Sequence, residues 1–268
     1  MTGPAFTDCG SGAPTLLFVH GYTCGKEDWD AQIPGLRDRF RCIALDLPGH
    51  GATPPGPEAT VAALADAVNA VRAHVADPVI LIGHSLGVKV IREACVRSPE
   101  GVSGLILIDG GFHRSDTDQV QSGVRLYVEA NGFPAFVRDY FSAVPDNPGD
   151  MRLRDEAIRR AQGMDADFAC GIYQSAVAFD ANRSRQTLEA LTCPVLVLQS
   201  SRIDASGRRV ALQEGERSAF SELVQRHVPA ARIVTIVGSG HFPMYDRAET
   251  VTEAIRAFAL QVHANSFR

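Results

Sequence analysis

Six short apolar runs recur along this chain, and they restrict its fold more than any other feature. Each run has four or five nearly continuous apolar residues, which is typical of a strand covered on both faces. Helical patterns lie between them, for example in residues 60–76, where Thr60 is placed to cap the helix. The alternation predicts an α/β protein with a doubly wound, mostly parallel sheet. The six runs lie within residues 15–21, 41–51, 78–83, 103–111, 193–200 and 232–241.

The alternation is interrupted once, in residues 112–191, where only helix-like stretches occur. A gap of this length inside a compact domain is usually functional. We predict a mostly helical insertion over one end of the sheet, following the strand that ends near Asp109. The core would then consist of residues 1–111 and 192–268. A separate helical domain is the alternative, but the strands that resume at Cys193 need the first part of the sheet.

Composition narrows the classes of function. The net charge is −5 and there is no basic cluster, which argues against nucleic acids and anionic membranes as partners. No apolar segment approaches the roughly 18 residues that span a bilayer, and the N-terminus has no signal-like pattern. Neither metal-ligand spacing nor a nucleotide-binding glycine motif occurs. We expect a cytoplasmic protein that acts on a small molecule, as a monomer or a homo-oligomer.

A serine lies between two glycines, in the sequence GHSLG, directly after the apolar residues 79–82. The G-x-S-x-G pattern between a strand and a helical run is typical of a nucleophile elbow. The glycines permit a tight turn, and the turn projects Ser85 from the carboxyl end of the sheet. The N–H of Leu86, which begins the next helix, is then aimed at a developing oxyanion.

A serine hydroxyl needs a base to become a nucleophile, and the base needs an orienting carboxylate. Elbows of this type use the chain order Ser, Asp, His. His241 follows the last apolar run, so it lies at the same end of the predicted sheet as Ser85. Gly238 and Gly240 near it indicate a backbone shaped to aim the ring. We therefore predict that Ser85 is the nucleophile and His241 the base.

Five motifs follow one another in an order that resembles the α/β-hydrolase fold family: HGYTCGKEDW, DLPGHG, GHSLG, LILID and GHFP. The resemblance covers nearly the whole chain. It implies that the N–H of Tyr22 is a second oxyanion donor beside Leu86. It also implies that residues 112–191 form a helical cap that shapes the substrate pocket, and no cofactor is required for this chemistry.

The resemblance leaves two candidates for the acid. Family members commonly carry it in a G-x-x-D pattern after the strand that follows the cap. Here that stretch is LVLQSSRIDASGRR, with Ser200 in place of the glycine and Asp204 one residue later than usual. We predict Asp204 as the acid. Asp109, at the end of LILID, is the rival, because some relatives supply the acid from the preceding strand.

Cations near these motifs have two interpretations. Lys89 lies one helical turn after Ser85, and we expect its stem along the helix and its ammonium group in water. Arginines 202, 208 and 209 lie near the predicted acid loop. They fit recognition of a substrate carboxylate, although exposed surface positions are the favoured interpretation.

These residues predict a serine hydrolase that cleaves a small or medium carboxylic ester through an acyl-enzyme. Hydrolysis of a carbon–carbon bond, a lactone or a thioester would use the same residues. A catalytically idle ligand-binding protein on the same fold is the alternative from another class. The joint presence of Ser85, His241 and the glycines favours the enzyme.

Overall fold

The computed structural model describes residues 3–112, 117–142, 148–204 and 208–265, and every structural statement below refers to these ranges. The described strands are β1 (Phe6–Cys9), β2 (Thr15–Val19), β3 (Cys42–Leu45), β4 (Val79–His84), β5 (Val102–Ile108), β6 (Val195–Gln199), β7 (Ser201–Ile203), β8 (Arg209–Ala211) and β9 (Arg232–Thr235). Seven of them form one sheet in the order β1-β3-β2-β4-β5-β6-β9, while β7 and β8 form a separate hairpin.

The main sheet is parallel except at one edge, where β1 runs antiparallel to β3. All six apolar runs became strands of this sheet, as predicted. Strands β2, β3, β4 and β6 are buried at every position, because helices cover both faces. Strands β1, β7 and β8 were not predicted, because each is only three or four residues long.

The described helices are α1 (Val61–Arg72), α2 (Leu86–Arg97), α3 (Thr117–Asn131), α4 (Phe133–Ser142), α5 (Pro148–Ala161), α6 (Ala166–Asn182), α7 (Ser184–Glu189), α8 (Ala219–His227), α9 (Pro243–Asp246) and α10 (Ala248–Asn265). Helix α1 begins as predicted, because the side-chain oxygen of Thr60 accepts a 3.0 Å hydrogen bond from the N–H of Ala63. None of these helices combines the length and the apolar character needed to cross a membrane.

Five helices, α3 to α7, separate β5 from β6, and we call them the helical segment. No strand interrupts them in the parts of residues 112–191 that are described; residues 113–116 and 143–147 of the predicted insertion lie outside the described ranges. Helix α6 is hydrogen-bonded to the core near both α1 and β2. Ser175 Oγ accepts a 3.0 Å hydrogen bond from the N–H of Val61, and the Ala169 carbonyl accepts one of 2.9 Å from the Tyr22 hydroxyl. The division into core and cap stays a prediction.

Candidate active site

Ser85 occupies a sharp turn between β4 and α2. Its φ and ψ are 52° and −111°, a region that side-chain-bearing residues rarely adopt. The two flanking glycines are needed for steric reasons. A Cβ on Gly83 would lie 2.5 Å from the Gly87 carbonyl oxygen, and a Cβ on Gly87 would lie 2.3 Å from the carbonyl oxygen of Val19. The turn therefore tolerates only glycine beside Ser85 and holds the serine at the carboxyl end of β4.

His241 bridges Ser85 and a carboxylate. Its Nε2 is 3.1 Å from Ser85 Oγ, and its Nδ1 is 2.7 Å from Asp109 Oδ2. The ring is almost completely buried, with 3% of the residue exposed. His84 holds the loop in place, because its Nε2 donates a 2.8 Å hydrogen bond to the backbone carbonyl of His241. Three groups from separate parts of the chain thus form one hydrogen-bonded series.

Asp109 directly follows β5, with a φ of 43° and no exposed surface. Because Ile108 pairs with Leu198, the carboxylate lies against the backbone that leaves β6. Its two oxygens accept hydrogen bonds of 2.6–3.0 Å from Gln199 Nε2, Ser200 N, Ser201 N, Ser201 Oγ, Arg209 Nη1 and His241 Nδ1. This set of donors stabilises an ionised carboxylate.

The charges of this group are set by its surroundings. Burial by itself raises the pKa of Asp109, but the hydrogen bond from His241 and the charge of Arg209 outweigh it and lower the pKa to about 2. Burial, followed by the charge of Arg209, lowers the pKa of His241 to about 4, against the opposing effect of Asp109. The imidazole is therefore neutral at neutral pH. Since Nδ1 donates to Asp109, Nε2 carries no proton and accepts from Ser85.

Asp204, the predicted acid, lies elsewhere. It directly follows β7, and its carboxylate accepts a 3.0 Å hydrogen bond from the N–H of Arg208. Its own N–H donates 2.8 Å to the Arg208 carbonyl. The Nδ1 of His241, which an acid must contact, is bonded to Asp109 instead. The geometry thus contradicts Asp204 as the partner of His241 and favours the rival, Asp109, because the chain turns into a hairpin right after β6.

The loop after β2 holds the Gly21–Tyr22 peptide against Ser85. Leu47 donates its N–H to His20 Nε2 at 3.0 Å, so the proton of this buried ring is on Nδ1, which donates to the Gly21 carbonyl at 2.7 Å. Burial lowers the pKa of His20 to about 3, so the ring stays neutral. In a trans peptide the N–H points opposite to the carbonyl. Anchoring the Gly21 carbonyl therefore fixes the direction of the Tyr22 N–H, and a Cβ on Gly21 would lie 3.2 Å from Ser85 Cβ.

A cavity opens onto Ser85, with about 480 Å³ of empty space when the adjoining open solvent is included. The helical segment supplies part of its wall, through Tyr140 from α4 and Tyr173 from α6. Helix α2, which follows the turn at Ser85, supplies Leu86 and Lys89. In the described part of the chain, no three His, Cys, Asp or Glu side chains are grouped in a way that could hold a metal ion.

A family comparison identifies the class of protein to which this fold and this site belong. The model of the alpha/beta hydrolase family matches residues 16–254, which is most of the chain. The chain belongs to the alpha/beta hydrolase family. The predicted family and the predicted doubly wound sheet are therefore confirmed.

Individual relatives match this hydrolase over almost its whole length. It is 26% identical to the pimeloyl-[acyl-carrier protein] methyl ester esterase of Edwardsiella ictaluri, across 94% of this chain and 95% of that protein. It is 23% identical to the karrikin insensitive 2 receptor IA of Petunia hybrida, across 96% and 94% of the two chains. The solved structure of a thermophilic esterase from Thermogutta terrifontis is similar with a TM-score of 0.75 and 27% identity, covering 97% of this chain and 94% of that one. The prediction of a carboxylesterase-like hydrolase is confirmed.

Two cations of this hydrolase do not lie where the sequence suggested. Lys89 is not in water: its side chain is 8% exposed, it forms an ion pair with Asp180 of α6, and it lines the cavity. Arg209 is not a surface residue either, since 11% of its side chain is exposed and it contacts Asp109. Arg202 is partly exposed and Arg208 is exposed, as expected. Sequence reasoning also missed Tyr173, for which only the helical spacing of α6 gave a signal.

Proposed function

We propose that this hydrolase cleaves small carboxylic esters with Ser85 as nucleophile, His241 as general base and Asp109 as the orienting acid. The observation that carries the proposal is the single imidazole hydrogen-bonded to a serine at a strained elbow on one side and to a buried carboxylate on the other. A neutral imidazole with a free Nε2 lone pair beside a serine hydroxyl is the arrangement that general-base activation requires.

The reaction follows from these contacts. Ser85 Oγ attacks the ester carbonyl carbon while its proton passes to His241 Nε2, and the Asp109 anion stabilises the imidazolium that forms. The tetrahedral intermediate collapses, the C–O bond to the alcohol breaks, and His241 donates its proton to the departing alcohol. Water then attacks the acyl-enzyme with His241 again as base, which releases the carboxylic acid and restores the Ser85 hydroxyl.

The backbone N–H groups of Tyr22 and Leu86 are proposed to bind the oxyanion of both intermediates. Leu86 begins α2, and the first N–H groups of a helix have no carbonyl partner within the helix. The anchored carbonyl of Gly21 supports the same role for Tyr22, because it fixes the peptide next to Ser85. Donors held in place before the reaction stabilise the transition state without reorganisation.

The helical segment is proposed to act as the cap that limits the substrate. Tyrosines from α4 and α6 line the cavity together with Ser85, so the helical segment would limit which substrates reach the serine. The relatives named as esterases, one of them for a methyl ester, support simple alkyl esters as the bond type. The relative named as a receptor supports the second candidate, a ligand-binding protein without turnover.

The test is hydrolysis of p-nitrophenyl esters of increasing acyl length, with fluorophosphonate labelling in parallel. We expect labelling of Ser85 and turnover that declines for long chains, and we expect Ser85→Ala to abolish both. Labelling without ester turnover would redirect the chemistry to lactones, thioesters or carbon–carbon bonds. An enzyme that is folded but neither labelled nor active would refute the proposed hydrolase and favour the binding protein.

A further inference from the structure

Two buried cations border the same cavity as Ser85. Lys89 lies one turn along α2 from the serine, and Arg209 lies on β8. Their side chains are 8% and 11% exposed, and both line the cavity. The cleavage of a neutral ester by the proposed mechanism uses no lysine. Burying a cation is costly, and an apolar side chain of similar volume would fill the wall without that cost.

Lys89 keeps hydrogen-bonding capacity for a ligand. An ammonium group has three N–H donors. Among the described residues its Nζ has two acceptors, the carboxylate of Asp180 and, at 3.2 Å, the carbonyl oxygen of Gly111. Burial lowers the pKa of Lys89 and the Asp180 carboxylate opposes this effect. An additional anion in the cavity would further favour the charged form.

Arg209 also has donors to spare. Its Nη1 donates to Asp109 Oδ2 at 3.0 Å and to Ser201 Oγ at 2.8 Å. Within the described chain its Nε and Nη2 have no protein acceptor. Nη2 is 3.7 Å from the point where a Cβ of Gly111 would stand, so Gly111 lies between the guanidinium of Arg209 and the ammonium of Lys89. The two cations therefore flank one stretch of the cavity wall.

The rest of the wall supports a polar, anionic guest with an apolar stem. Three tyrosines line the cavity, Tyr22, Tyr140 and Tyr173. The hydroxyl of Tyr22 is bonded to Ala169, but those of Tyr140 and Tyr173 have no acceptor among the described residues. Lys89 and Arg209 are mostly buried, and electrostatic attraction is stronger in such surroundings than in bulk water.

We propose that the substrate is a small ester that carries a carboxylate, and that Lys89 and Arg209 bind this carboxylate while Ser85 attacks the ester. This inference rests on the proposed function. Ser85 directly precedes α2 and Lys89 lies in the first turn of that helix, so one small ligand in the cavity can contact both residues.

The test compares matched substrates that differ in one charge. Monoethyl glutarate is compared with ethyl 4-carbamoylbutanoate, its neutral amide of the same size, which places the charge on the acid side of the ester. 4-Acetoxybutanoate and its amide place the charge on the alcohol side. We expect kcat/KM to favour the carboxylate of one pair by at least about tenfold, as for a charge-assisted hydrogen bond that a neutral amide cannot form.

Substitution of Lys89 tests the binding residue. We expect Lys89→Met to lower the ratio of the two kcat/KM values toward one, with Arg209 alone left to bind the carboxylate. The sequence has only one other lysine, Lys26, which is paired with Asp46 and does not line the cavity, so Lys26→Met is the matched control and should keep the wild-type ratio. Both substrates are measured on one preparation, so any unfolded fraction cancels from the ratio.

The outcomes separate this inference from the function on which it rests. If the wild type hydrolyses both members of each pair equally well, the carboxylate inference is wrong and the esterase proposal stands. If Lys89→Met lowers both rates by the same factor, the lysine is only a structural partner of Asp180 and the inference is also wrong. If no ester is hydrolysed and Ser85 resists fluorophosphonate, the proposed function itself fails.

Discussion

Replacement of Asp109 by asparagine is the most informative single change in this site. Both oxygens of its carboxylate accept hydrogen bonds from several donors. Oδ1 accepts from Gln199 Nε2 and from the N–H groups of Ser200 and Ser201, while Oδ2 accepts from Ser201 Oγ, Arg209 and His241. An asparagine has one acceptor and one donor end, so one end always meets N–H groups that it cannot satisfy.

Each orientation of the amide has a defined consequence. If the NH₂ group takes the place of Oδ2, it donates to His241 Nδ1 and moves the ring proton to Nε2, which then no longer accepts from Ser85. If it takes the place of Oδ1, it opposes three N–H donors in a completely buried site. Loss of the correct tautomer lowers kcat by roughly 10⁴, and loss of one partner of a buried charged pair lowers the free energy of unfolding by about 3–5 kcal/mol.

The assay is kcat/KM for a p-nitrophenyl ester, together with urea unfolding of the same variant. The matched control is Asp204→Asn, because Asp204 bonds the Arg208 N–H in a partly exposed turn. We expect it to retain activity within about twofold. A loss of activity in Asp204→Asn that equals or exceeds the loss in Asp109→Asn would refute the assignment of Asp109.

Four further perturbations test other features. Burial is the main cause of the low pKa of His241, and the charge of Arg209 is the second. Arg209→Met removes this charge and should raise the pKa of His241, so the acid limb of the kcat/KM profile should move to higher pH. An unchanged acid limb would contradict this. Gly87→Ala puts a Cβ 2.3 Å from a backbone oxygen of Val19, and we expect urea unfolding to record a loss of at least about 2 kcal/mol. Gly123→Ala, whose Cβ meets nothing within 4 Å in α3, should instead gain up to about 1 kcal/mol. The free energy of unfolding should fall as the pH drops from about 6.5 to 4. In this range the unfolded chain binds protons at four histidines that stay neutral when buried in the folded protein. Each of them lowers the free energy of unfolding by up to about 1.4 kcal/mol per pH unit. Urea unfolding across this range measures the effect, and a flat profile would contradict it. The four are His20, His50, His84 and His241.

The elements that could be predicted from the sequence are those set by local pattern. Continuous apolar runs became buried strands because each lies between layers of helices. The elbow was predictable because Gly83 and Gly87 are required by contacts within a few residues of the turn or with β2, its neighbour in the sheet. The contact of His241 with Ser85 was predictable because His241 follows a strand whose carboxyl end lies at the same end of the sheet as that of β4.

The carboxylate that contacts His241 could not be predicted, since both Asp109 and Asp204 satisfy the chain order. The deciding factor is the pairing of β5 with β6, which brings the backbone N–H groups of residues 200 and 201 to Asp109. The β7–β8 hairpin then directs Asp204 into its own turn. Long-range register and a three-residue strand leave little trace in a single sequence.

Lys89 was misjudged for a related reason. A lysine on a helix usually extends into water, and its spacing of four from Ser85 says only that the two share a face. The covering element is α6, which carries Asp180, some ninety residues later. Contacts between the elbow helix and the helical segment depend on tertiary packing, and no local pattern predicts them.

Three non-glycine residues of the described chain have positive φ: Thr23, Ser85 and Asp109. All three follow the carboxyl ends of strands, on the side of the sheet where the candidate active site lies. Such backbone costs about 1–3 kcal/mol for a residue with a side chain, and glycine avoids it. At Ser85 a laboratory screen for heat-resistant variants would therefore select glycine and accumulate stable proteins that lack the proposed nucleophile. Libraries built to stabilise this chain should keep Thr23, Ser85 and Asp109 fixed and direct diversity to the helices distant from this edge.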